Sequence, residues 1–205
     1  MRDLWPQTLV DMEILSDHHP IKYLLALLEK YFYKRADRII TLPPKAIDYI
    51  TKLGIDPQKI VWIPNGVYLS RFAEANNLYK QKDSSTFKVI YAGTHGPSSG
   101  LETLLKAAEV IQNCEYKNIN IILIGDGSAK HKLIKMKDEM NLNNVLFYES
   151  VSKNDIPKEL LQADALLHIE LEFACSKYGG SPNKIFDYMA AGKPIIYASN
   201  FVKGM

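Results

Sequence analysis

Cysteine is scarce in this sequence. Only two occur in its 205 residues, Cys114 and Cys175, and they lie far apart without the spacing of metal ligands. Reduced thiols in a cytosolic protein are therefore expected, not a disulfide framework. The five histidines are scattered too, and the adjacent pair His18 and His19 lacks the spacing of two zinc ligands on a helix. The sequence therefore predicts no metal site.

Long apolar and long basic runs are also missing. No apolar run approaches the roughly 18 residues of a membrane-spanning helix, and the first residues do not resemble a signal peptide. The formal net charge is +2, and no basic run is interleaved with aromatic residues in the way that single-strand binders require. We expect a cytoplasmic protein without a nucleic-acid partner.

Two common cofactor-binding motifs are absent as well. Leu101 stands where a Walker A loop would carry its lysine, and Lys130 stands where a dinucleotide fingerprint would carry its third glycine. No two aspartates are separated by a single residue, so a divalent metal bridging a diphosphate has no ready carboxylate ligands. P-loop enzymes and dinucleotide oxidoreductases are thus disfavoured.

The sequence does contain a regular alternation of apolar strands and helices. Strands are predicted over 37–42, 59–64, 87–93, 118–125, 144–150, 164–170 and 193–199, with helices over 43–54, 101–112, 130–141, 154–163 and 181–192. Apolar strands that alternate with helices indicate a parallel sheet covered on both faces. A polar stretch over 73–86 is interpreted as a linker. The expected fold class is therefore α/β.

A further helical region, 21–35, has two interpretations. Its Leu, Tyr and Phe residues occur at helical spacing together with Lys22, Lys30, Lys34 and Arg35. An amphipathic helix packed on a core explains this pattern, and so does a face for peripheral membrane contact. Both interpretations stay open at the level of the sequence.

Two glycine-rich turns follow predicted strands. Gly93 and Gly96 lie between the strand over 87–93 and its helix, and Gly125 and Gly127 flank Asp126 after the next strand. Glycines allow backbone N–H groups to approach a phosphate closely, but such turns also arise where the backbone needs a positive φ. Asp126 either caps its turn or contacts a ligand. In parallel sheets, ligands bind beyond the carboxyl ends of the strands, where these turns lie.

The segment SPNK predicts the start of a helix. Ser181 is a favourable N-cap, and Pro182 suits the first helical position. Lys184 falls in the first turn, where the helix dipole disfavours a cation; a bound phosphate would explain it, and so would simple solvation at the surface. Asp187, one turn deeper, is placed to accept hydrogen bonds from sugar hydroxyls. A phosphate beside a diol outlines a nucleotide or nucleotide sugar bound without metal.

Taken in order, several stretches resemble one family. They are ADRIITLPPKAIDYITKLG with KIVWIPNGV, VIYAGTHGPSSGLETLLKAA, IILIGDGSAKHKL, NVLFYESVSKNDIPKELLQADALL and SPNKIFDYMAAGKPII. The family is that of retaining glycosyltransferases of family 4, with the GT-B fold of two facing Rossmann-like domains. The RDLWP and SPNK sequences most resemble the branch that builds bacterial capsule and O-antigen polysaccharides.

The resemblance implies an incomplete two-domain unit with parallel Rossmann-type sheets and helices on both faces. Residues 1–72 would be the last part of the N-terminal, acceptor-side domain, and 73–86 the linker. Residues 87–205 would form the donor domain, truncated at its C-terminal end. Most of the N-terminal domain would then be missing from this chain.

The resemblance also implies an acidic pair in the donor site. The family usually has two glutamates there, and the second orients the ribose hydroxyls of the nucleotide. Asp187 stands at this second position, one methylene shorter, whereas the first position falls on Gly179. Glu170 and Glu172, upstream of it, are alternatives for the missing first carboxylate, with surface solvation as the competing interpretation.

Charge for the diphosphate is expected from an unusual place. Many members carry an Arg and a Lys in the first donor-domain loop, at positions that correspond here to Thr94 and Ser99. Lys184, with the backbone N–H groups of 182–184, is the expected substitute. The full expected donor-binding set is Gly93, Thr94, His95, Gly96, Gly125, Asp126, Gly127, Ser181, Pro182, Asn183, Lys184 and Asp187.

The implied activity is transfer of a sugar from a UDP-sugar to a glycan or lipid-linked acceptor at the inner face of the cell membrane. Retention of configuration, no metal or other cofactor and no dedicated catalytic base are expected. Two alternatives remain: an inactive nucleotide-binding remnant or partner subunit, completed by a second polypeptide, and a non-hydrolysing UDP-sugar 2-epimerase of the same two-domain fold. The acidic and histidine catalytic set of such epimerases is not evident in the sequence.

Overall fold

The computed structural model describes residues 4, 6–11, 14–78, 85–114, 118–169, 171, 178–179 and 181–199. These residues form two compact units. The first comprises the described residues up to Gly66 together with Tyr178, Gly179, Ser181 and Pro182. The second comprises the described residues from Val67 to Leu171 and from Asn183 onward.

The first unit contains a small parallel sheet and three helices. Its elements are α1 (Gln7–Asp11), α2 (Pro20–Arg35), β1 (Ile39–Thr41), α3 (Ala46–Lys52) and β2 (Ile60–Trp62). Strands β1 and β2 pair in parallel, with Ile39 opposite Ile60. The core of this unit consists of Leu4, Ile39, Ala46, Ile50, Ile55 and Tyr178. Both strands and helix α3 confirm the predictions over 37–42, 59–64 and 43–54, whereas the short α1 was not predicted.

Helix α2 has an inner face held by a polar network and an outer face that stays apolar. On the inner face Glu29 is buried, and its carboxylate accepts hydrogen bonds from the hydroxyls of Tyr33 and Tyr49, both at 2.9 Å. Burial raises the pKa of Glu29. The outer face exposes seven large apolar side chains, namely Ile21, Tyr23, Leu24, Leu27, Leu28, Tyr31 and Phe32. No helix in the described part of the chain is long and apolar enough to cross a membrane.

The second unit is a five-stranded parallel sheet with helices on both faces. Its strands are β3 (Phe87–Ala92), β4 (Ile119–Ile124), β5 (Val145–Tyr148), β6 (Ala165–Ile169) and β7 (Ile195–Ala198), in the spatial order β5-β4-β3-β6-β7. Its helices are α4 (Leu69–Leu78), α5 (Leu101–Asn113), α6 (Lys130–Glu139), α7 (Ile156–Leu161) and α8 (Asn183–Ala191). Every strand pair is parallel.

Side chains alternate between the two faces of this sheet because successive residues of a strand point in opposite directions. In β3, Val89 and Tyr91 belong to the core that α5 and α6 cover. Ile90 and Ala92 belong to the core that α4, α7 and α8 cover. The α/β fold with parallel sheets covered on both faces is therefore confirmed.

Helix α4 overlaps the polar stretch 73–86, which was predicted to be a linker. Phe72 and Ala75, three residues apart, are both buried, and Phe72 belongs to the core that α7 and α8 share. Two apolar anchors one turn apart thus hold a helix in a segment dominated by polar residues, and the sequence did not indicate it. Residues 79–84 lie outside the described residues. The domain boundaries at 72 and 87 stay a prediction.

Candidate functional site

The order of strands in the second unit marks a place for a ligand. Strand β3 pairs with β4 on one side and β6 on the other, so successive connections run in opposite directions from β3. In open parallel sheets, ligands bind at such a switch point, outside the carboxyl ends of the strands. The turn that begins at Gly93 follows β3, and α8 is the next described helix after β6. These two elements therefore frame the candidate site.

The two glycine turns lie directly against each other. A Cβ atom added to Gly125 would lie 2.0 Å from the carbonyl oxygen of Gly93, and one added to Gly127 would lie 2.6–2.9 Å from backbone atoms of His95. Both glycines also have positive φ, +148° and +156°. Close approach of two backbones therefore explains the glycines at these two positions.

Backbone amides in these turns are used within the protein. The N–H of Gly93 donates to the carbonyl of Ile124 at 2.9 Å, and that of His95 donates to the carbonyl of Asp126 at 2.8 Å. The N–H of Gly96 donates to Ser99 Oγ at 3.3 Å. These bonds hold the turns together, so the glycines do not present these amides to a ligand in the described structure.

Asp126 also has a partner inside its own turn. Its Oδ1 accepts a hydrogen bond from the N–H of Gly127 at 2.7 Å, as in the capping alternative. Thr94 contributes its carbonyl oxygen, which accepts hydrogen bonds from Tyr91 Oη at 2.9 Å and Ser99 Oγ at 2.6 Å. Thr94 and Ser99 therefore build the turn that, in the resemblance, would have carried the Arg and the Lys.

His95 is fully buried behind the glycine turns. Its ring lies between those of Tyr91 and Phe147, at centroid distances of 6.1 and 5.8 Å. Neither ring nitrogen has a hydrogen-bond partner among the described residues. Burial, aided by the charge of Lys130, lowers the pKa of His95, so the ring is neutral near pH 7. The candidate His95 thus supports the turn from inside.

Lys184, the second residue of α8, reaches across to the end of β3. Its Nζ donates a hydrogen bond to Tyr91 Oη at 2.9 Å and lies 4.2 Å from the centroid of the Tyr91 ring. A Cβ atom added to Gly93 would lie 2.7 Å from the same Nζ, so the ammonium rests directly over this glycine. Within the described residues no carboxylate lies within 4.0 Å of it. By contrast Lys130, which also lies close to His95, pairs with Glu149 at 2.9 Å.

His168 is a further buried imidazole near Lys184, and it is not in the donor-binding set expected from the sequence. It lies on β6 with its ring against that of Tyr197, at a centroid distance of 4.9 Å, and its nitrogens have no partner in the described part of the chain. Burial, with a smaller effect of the charge of Lys184, lowers the pKa of His168 to about 4. A single histidine inside the apolar strand DALLHIE was the available indication.

Asp187 lies half-buried on α8, one turn after Lys184. Burial raises the pKa of its carboxyl group, against the opposing charges of Arg71 and Lys153. Arg71 comes from α4, the helix that the sequence did not indicate, and its buried Nε has no hydrogen-bond partner among the described residues. Two cations near one carboxylate make this a polar corner able to hold hydroxyl groups.

The start of α8 differs from the prediction. The helix begins at Asn183 rather than Pro182. Ser181, in the first unit, uses its Oγ to accept the backbone N–H of Asn65 at 3.3 Å, and its carbonyl accepts the side-chain amide of the same Asn65. Because Ser181 is hydrogen-bonded to Asn65, the helix starts later than it would with Ser181 as its N-cap.

Gly179 is tied to the first unit by a close contact. Its φ is +82°, and a Cβ atom there would lie 2.8 Å from ring carbons of Pro44. A side chain at this position, such as the first glutamate of the family pattern, has no room. Glu170 and Glu172 lie outside the described residues. Among the residues that are described, no three His, Cys, Asp or Glu side chains are grouped closely enough to hold a metal ion.

Comparison with known families gives two matches that together cover nearly the whole chain. The model described as "Glycosyl transferases group 1" matches residues 75–205, and that described as "Glycosyltransferase Family 4" matches residues 11–71. Both agree with the resemblance inferred from the sequence motifs.

Individual relatives point the same way. A protein of Escherichia coli K12 named for colanic acid biosynthesis as a glycosyl transferase is 23% identical over 179 residues, covering 84% of this chain and 43% of the relative. The Escherichia coli enzyme named UDP-Gal:alpha-D-GlcNAc-diphosphoundecaprenol alpha-1,3-galactosyltransferase is 28% identical over 188 residues, covering 87% of this chain and 47% of the relative. This chain spans between 42% and 49% of the length of the four curated relatives it matches.

A solved structure shows the same fold. The crystal structure of Anabaena HepE in complex with UDP matches with a TM-score of 0.66 at 18% identity, covering 90% of this chain and 50% of that one. The same protein has also been crystallised with UDP-glucose. At this identity the likeness establishes the fold and leaves the ligand to be argued from the site.

Proposed function

Because the chain belongs to the family of group 1 glycosyl transferases, we propose that its second unit binds the nucleotide diphosphate of a sugar donor, with UDP as the nucleotide. The sugar is transferred to a glycan or lipid-linked acceptor in the assembly of a bacterial surface polysaccharide such as capsule or O-antigen. The chain spans about half the length of its relatives, so the complete activity is part of this proposal.

One observation carries the proposal: the ammonium of Lys184 lies at the switch point of the sheet without a carboxylate partner in the described chain. It stands in the first turn of α8, where helix N–H groups lack intrahelical partners and the helix dipole is positive. A lysine there adds a full positive charge to a site that already favours anions. A diphosphate is the group that such a charge would stabilise.

The proposed sugar transfer requires a positive charge beside the diphosphate. When the bond between sugar and diphosphate breaks, negative charge develops on the leaving diphosphate and the sugar becomes oxocarbenium-like. A fixed cation in a partly dry site stabilises that developing charge without reorganisation. No metal ion and no side-chain nucleophile are required in this scheme, and the transfer proceeds with retention, as the resemblance implies.

Asp187 is proposed to bind the ribose. Its carboxylate lies one turn beyond Lys184, in a half-buried corner near Arg71 and Lys153. We propose that the glycine turns, with Thr94 and Asp126, form one side of the donor site, that the buried His95 supports them from inside, and that Lys184 provides the charge. Pro182 and Asn183 lead into the first turn of α8, and Ser181 is held by Asn65 in the first unit.

The identity of the nucleotide is proposed from the ligands and names of the relatives. HepE was crystallised with UDP and with UDP-glucose, and the galactosyltransferase relative is named for a UDP-sugar donor and a diphosphoundecaprenol-linked acceptor. By analogy, a UDP-sugar and a lipid-linked acceptor are proposed here. A lipid-linked acceptor would place the enzyme at the inner face of the membrane, and the apolar and basic outer face of α2 is proposed as the peripheral contact.

Calorimetric titration of the chain with UDP, with GDP for comparison and EDTA throughout, tests the donor site. Binding that prefers UDP and survives EDTA supports the proposal, whereas no binding contradicts it. Binding without transfer or hydrolysis of any UDP-sugar would favour the inactive-remnant alternative. Inversion of the sugar at C2 would favour the epimerase.

The ribose role of Asp187 has its own test. Asp187→Ala should weaken the binding of UDP more than the binding of pyrophosphate, because the proposed partner of the carboxylate is the ribose. Loss of a hydrogen bond to a charged group typically costs about 1.5–3 kcal/mol. Equal losses for both ligands would remove this role from Asp187.

A further inference from the structure

Tyr91 is the penultimate residue of β3 and is completely buried. Its ring belongs to the core beneath α5 and α6. The side chain is long enough for its hydroxyl to emerge from that core at the turn after the strand. The phenol thus links the interior of the second unit to the candidate donor site.

The hydroxyl of Tyr91 has two partners with different roles. It donates to the carbonyl oxygen of Thr94 at 2.9 Å, which fixes the hydroxyl relative to the turn. It accepts from Nζ of Lys184 at 2.9 Å, and the same Nζ lies 4.2 Å from the ring centroid. The ammonium is therefore held by a hydrogen bond and by the face of an aromatic ring at once.

These contacts leave the charge of Lys184 available. A hydroxyl that donates to a carbonyl is protonated and uncharged, so Tyr91 does not neutralise the ammonium as a carboxylate would. An ammonium has three donors, and the bond to Tyr91 uses one of them. The nearby imidazoles of His95 and His168 have lowered pKa values, so these rings are neutral near pH 7 and add no second positive charge beside the ammonium.

We propose that Tyr91 is a positioning residue for the diphosphate, which holds the ammonium of Lys184 over Gly93 in a fixed geometry before the donor arrives. This inference rests on the proposed donor-binding function. The Lys184 side chain is then already ordered in the free protein, so binding does not have to immobilise it. Fixing a rotamer-rich side chain costs conformational entropy, and this cost would return without Tyr91.

Tyr91→Phe tests the idea because it removes the hydroxyl and keeps the ring. The measurement is the ratio of the affinity for UDP to the affinity for uridine, since uridine lacks the phosphates that Lys184 would bind. We expect this ratio to fall between about two- and tenfold in Tyr91→Phe, the range that corresponds to the cost of ordering one side chain. An unchanged or increased ratio overturns the proposal.

A double-mutant cycle separates positioning from general support of the fold. If Tyr91 acts through Lys184, Tyr91→Phe has no further effect on the ratio in a Lys184→Ala background. An equal fall in both backgrounds would show a purely structural role and overturn the proposal. If the wild-type chain does not bind UDP, both the proposed function and this inference are wrong. If the wild type binds UDP and the UDP-to-uridine affinity ratio of Tyr91→Phe equals that of the wild type, only the inference is wrong.

Tyr188→Phe is the matched control. Tyr188 is also a buried tyrosine, and its hydroxyl accepts the backbone N–H of Ala92, the residue next to Tyr91, at 3.0 Å. Its loss should lower stability and leave the UDP-to-uridine ratio unchanged. Should Tyr91→Phe fail to fold, 3-fluorotyrosine at position 91 keeps the hydroxyl and weakens it as an acceptor. The ratio should still fall, and no change would overturn the proposal.

Discussion

At the scale of single residues, the candidate site consists of the ammonium of Lys184 and the uncharged aromatic and imidazole rings near it. Lys184 touches Tyr91, and two buried histidines, His95 and His168, lie close enough for its charge to lower their pKa values. A partly buried charge without a carboxylate partner favours a bound anion, because desolvation strengthens each remaining interaction.

Lys184→Ala should weaken UDP binding by about 1–3 kcal/mol, the usual value of a charge-assisted hydrogen bond. Isothermal titration of wild type and variant measures the change. Lys106→Ala, at an exposed position of α5, is the matched control and should bind UDP as the wild type does. An unaltered affinity in Lys184→Ala would return this lysine to the solvated-surface interpretation.

His168 should make stability depend on pH. Its pKa of about 4 lies below the ordinary 6.5, so between these values the unfolded chain binds more protons than the folded one. The free energy of unfolding should therefore fall as the pH is lowered from 6.5 to 4, by roughly 2–3 kcal/mol from this residue.

His168→Phe should flatten this dependence in denaturant unfolding curves recorded across that range. Leu166→Ala, a buried change on the same strand, is the control: it should lower stability at every pH and keep the wild-type slope. A slope that is identical in wild type and His168→Phe would contradict the assignment of a lowered pKa to this ring.

The sequence indicated Lys184 and Asp187 because each violates or completes a local rule of the helix on which it lies. Tyr91 and His168 gave no comparable indication, because aromatic residues in apolar strands are ordinary core residues. Their importance arises from neighbours far away in the sequence, such as the contact between Tyr91 and Lys184. Residue-level chemistry of this kind requires the tertiary structure.

At the scale of elements, the two glycine turns act as one packed piece. The carbonyl of Gly93 occupies the space that a side chain at 125 would need, and the backbone N–H of His95 donates to the carbonyl of Asp126 across the same contact. The strands of the sheet thereby end in a rigid rim rather than in two separate loops.

Gly125→Ala should lower the free energy of unfolding by about 2–4 kcal/mol, because it adds a clash to a strained φ. Gly66→Ala is the control, since a Cβ atom there meets nothing within 4 Å, and it should change stability by less than about 0.5 kcal/mol. Denaturant unfolding followed by circular dichroism measures both. Equal stability of the two variants would show that the turns can move apart.

Most elements were predictable because strands and helices here follow the apolar periodicity of their sequences. Helix α4 was not, since its buried residues Phe72 and Ala75 stand among polar residues and the helix packs against α7 and α8, which lie far away in the sequence. The start of α8 lies one residue after the predicted start for a related reason. Asn65, more than a hundred positions away, is hydrogen-bonded to Ser181. Long-range partners decided each of these cases.

Helix α2 combines seven exposed apolar side chains with Lys22, Lys30, Lys34 and Arg35. We expect the chain to sediment with vesicles that contain anionic lipid and less with neutral vesicles, because both apolar burial and charge attraction contribute. Leu27→Asp should reduce this binding. Val110→Asp, which likewise replaces an exposed apolar side chain by a carboxylate but on α5, should not reduce it. Absence of sedimentation in the wild type would contradict the membrane contact.

At the scale of the whole molecule, the chain matches a family over most of its length while spanning about half of its curated relatives. Its second unit contains every proposed determinant of the nucleotide except Ser181 and Pro182. Nucleotide binding can therefore be tested on this chain by itself, whereas a test of transfer also requires the acceptor.

The path of the chain between the two units has a consequence for making hybrids with related enzymes. The chain leaves the first unit after Gly66, the described residues 178–179 and 181–182 belong to that unit again, and the second unit resumes at Asn183. Tyr178 belongs to the core of the first unit, and the backbone N–H of Lys45 donates to its carbonyl at 3.0 Å. A hybrid joined once, near Gly66, would therefore combine the core of one parent with the Tyr178 segment of the other. Exchange of nucleotide-binding halves needs two or more junctions, so that residues 178–182 stay with the unit in which they are packed.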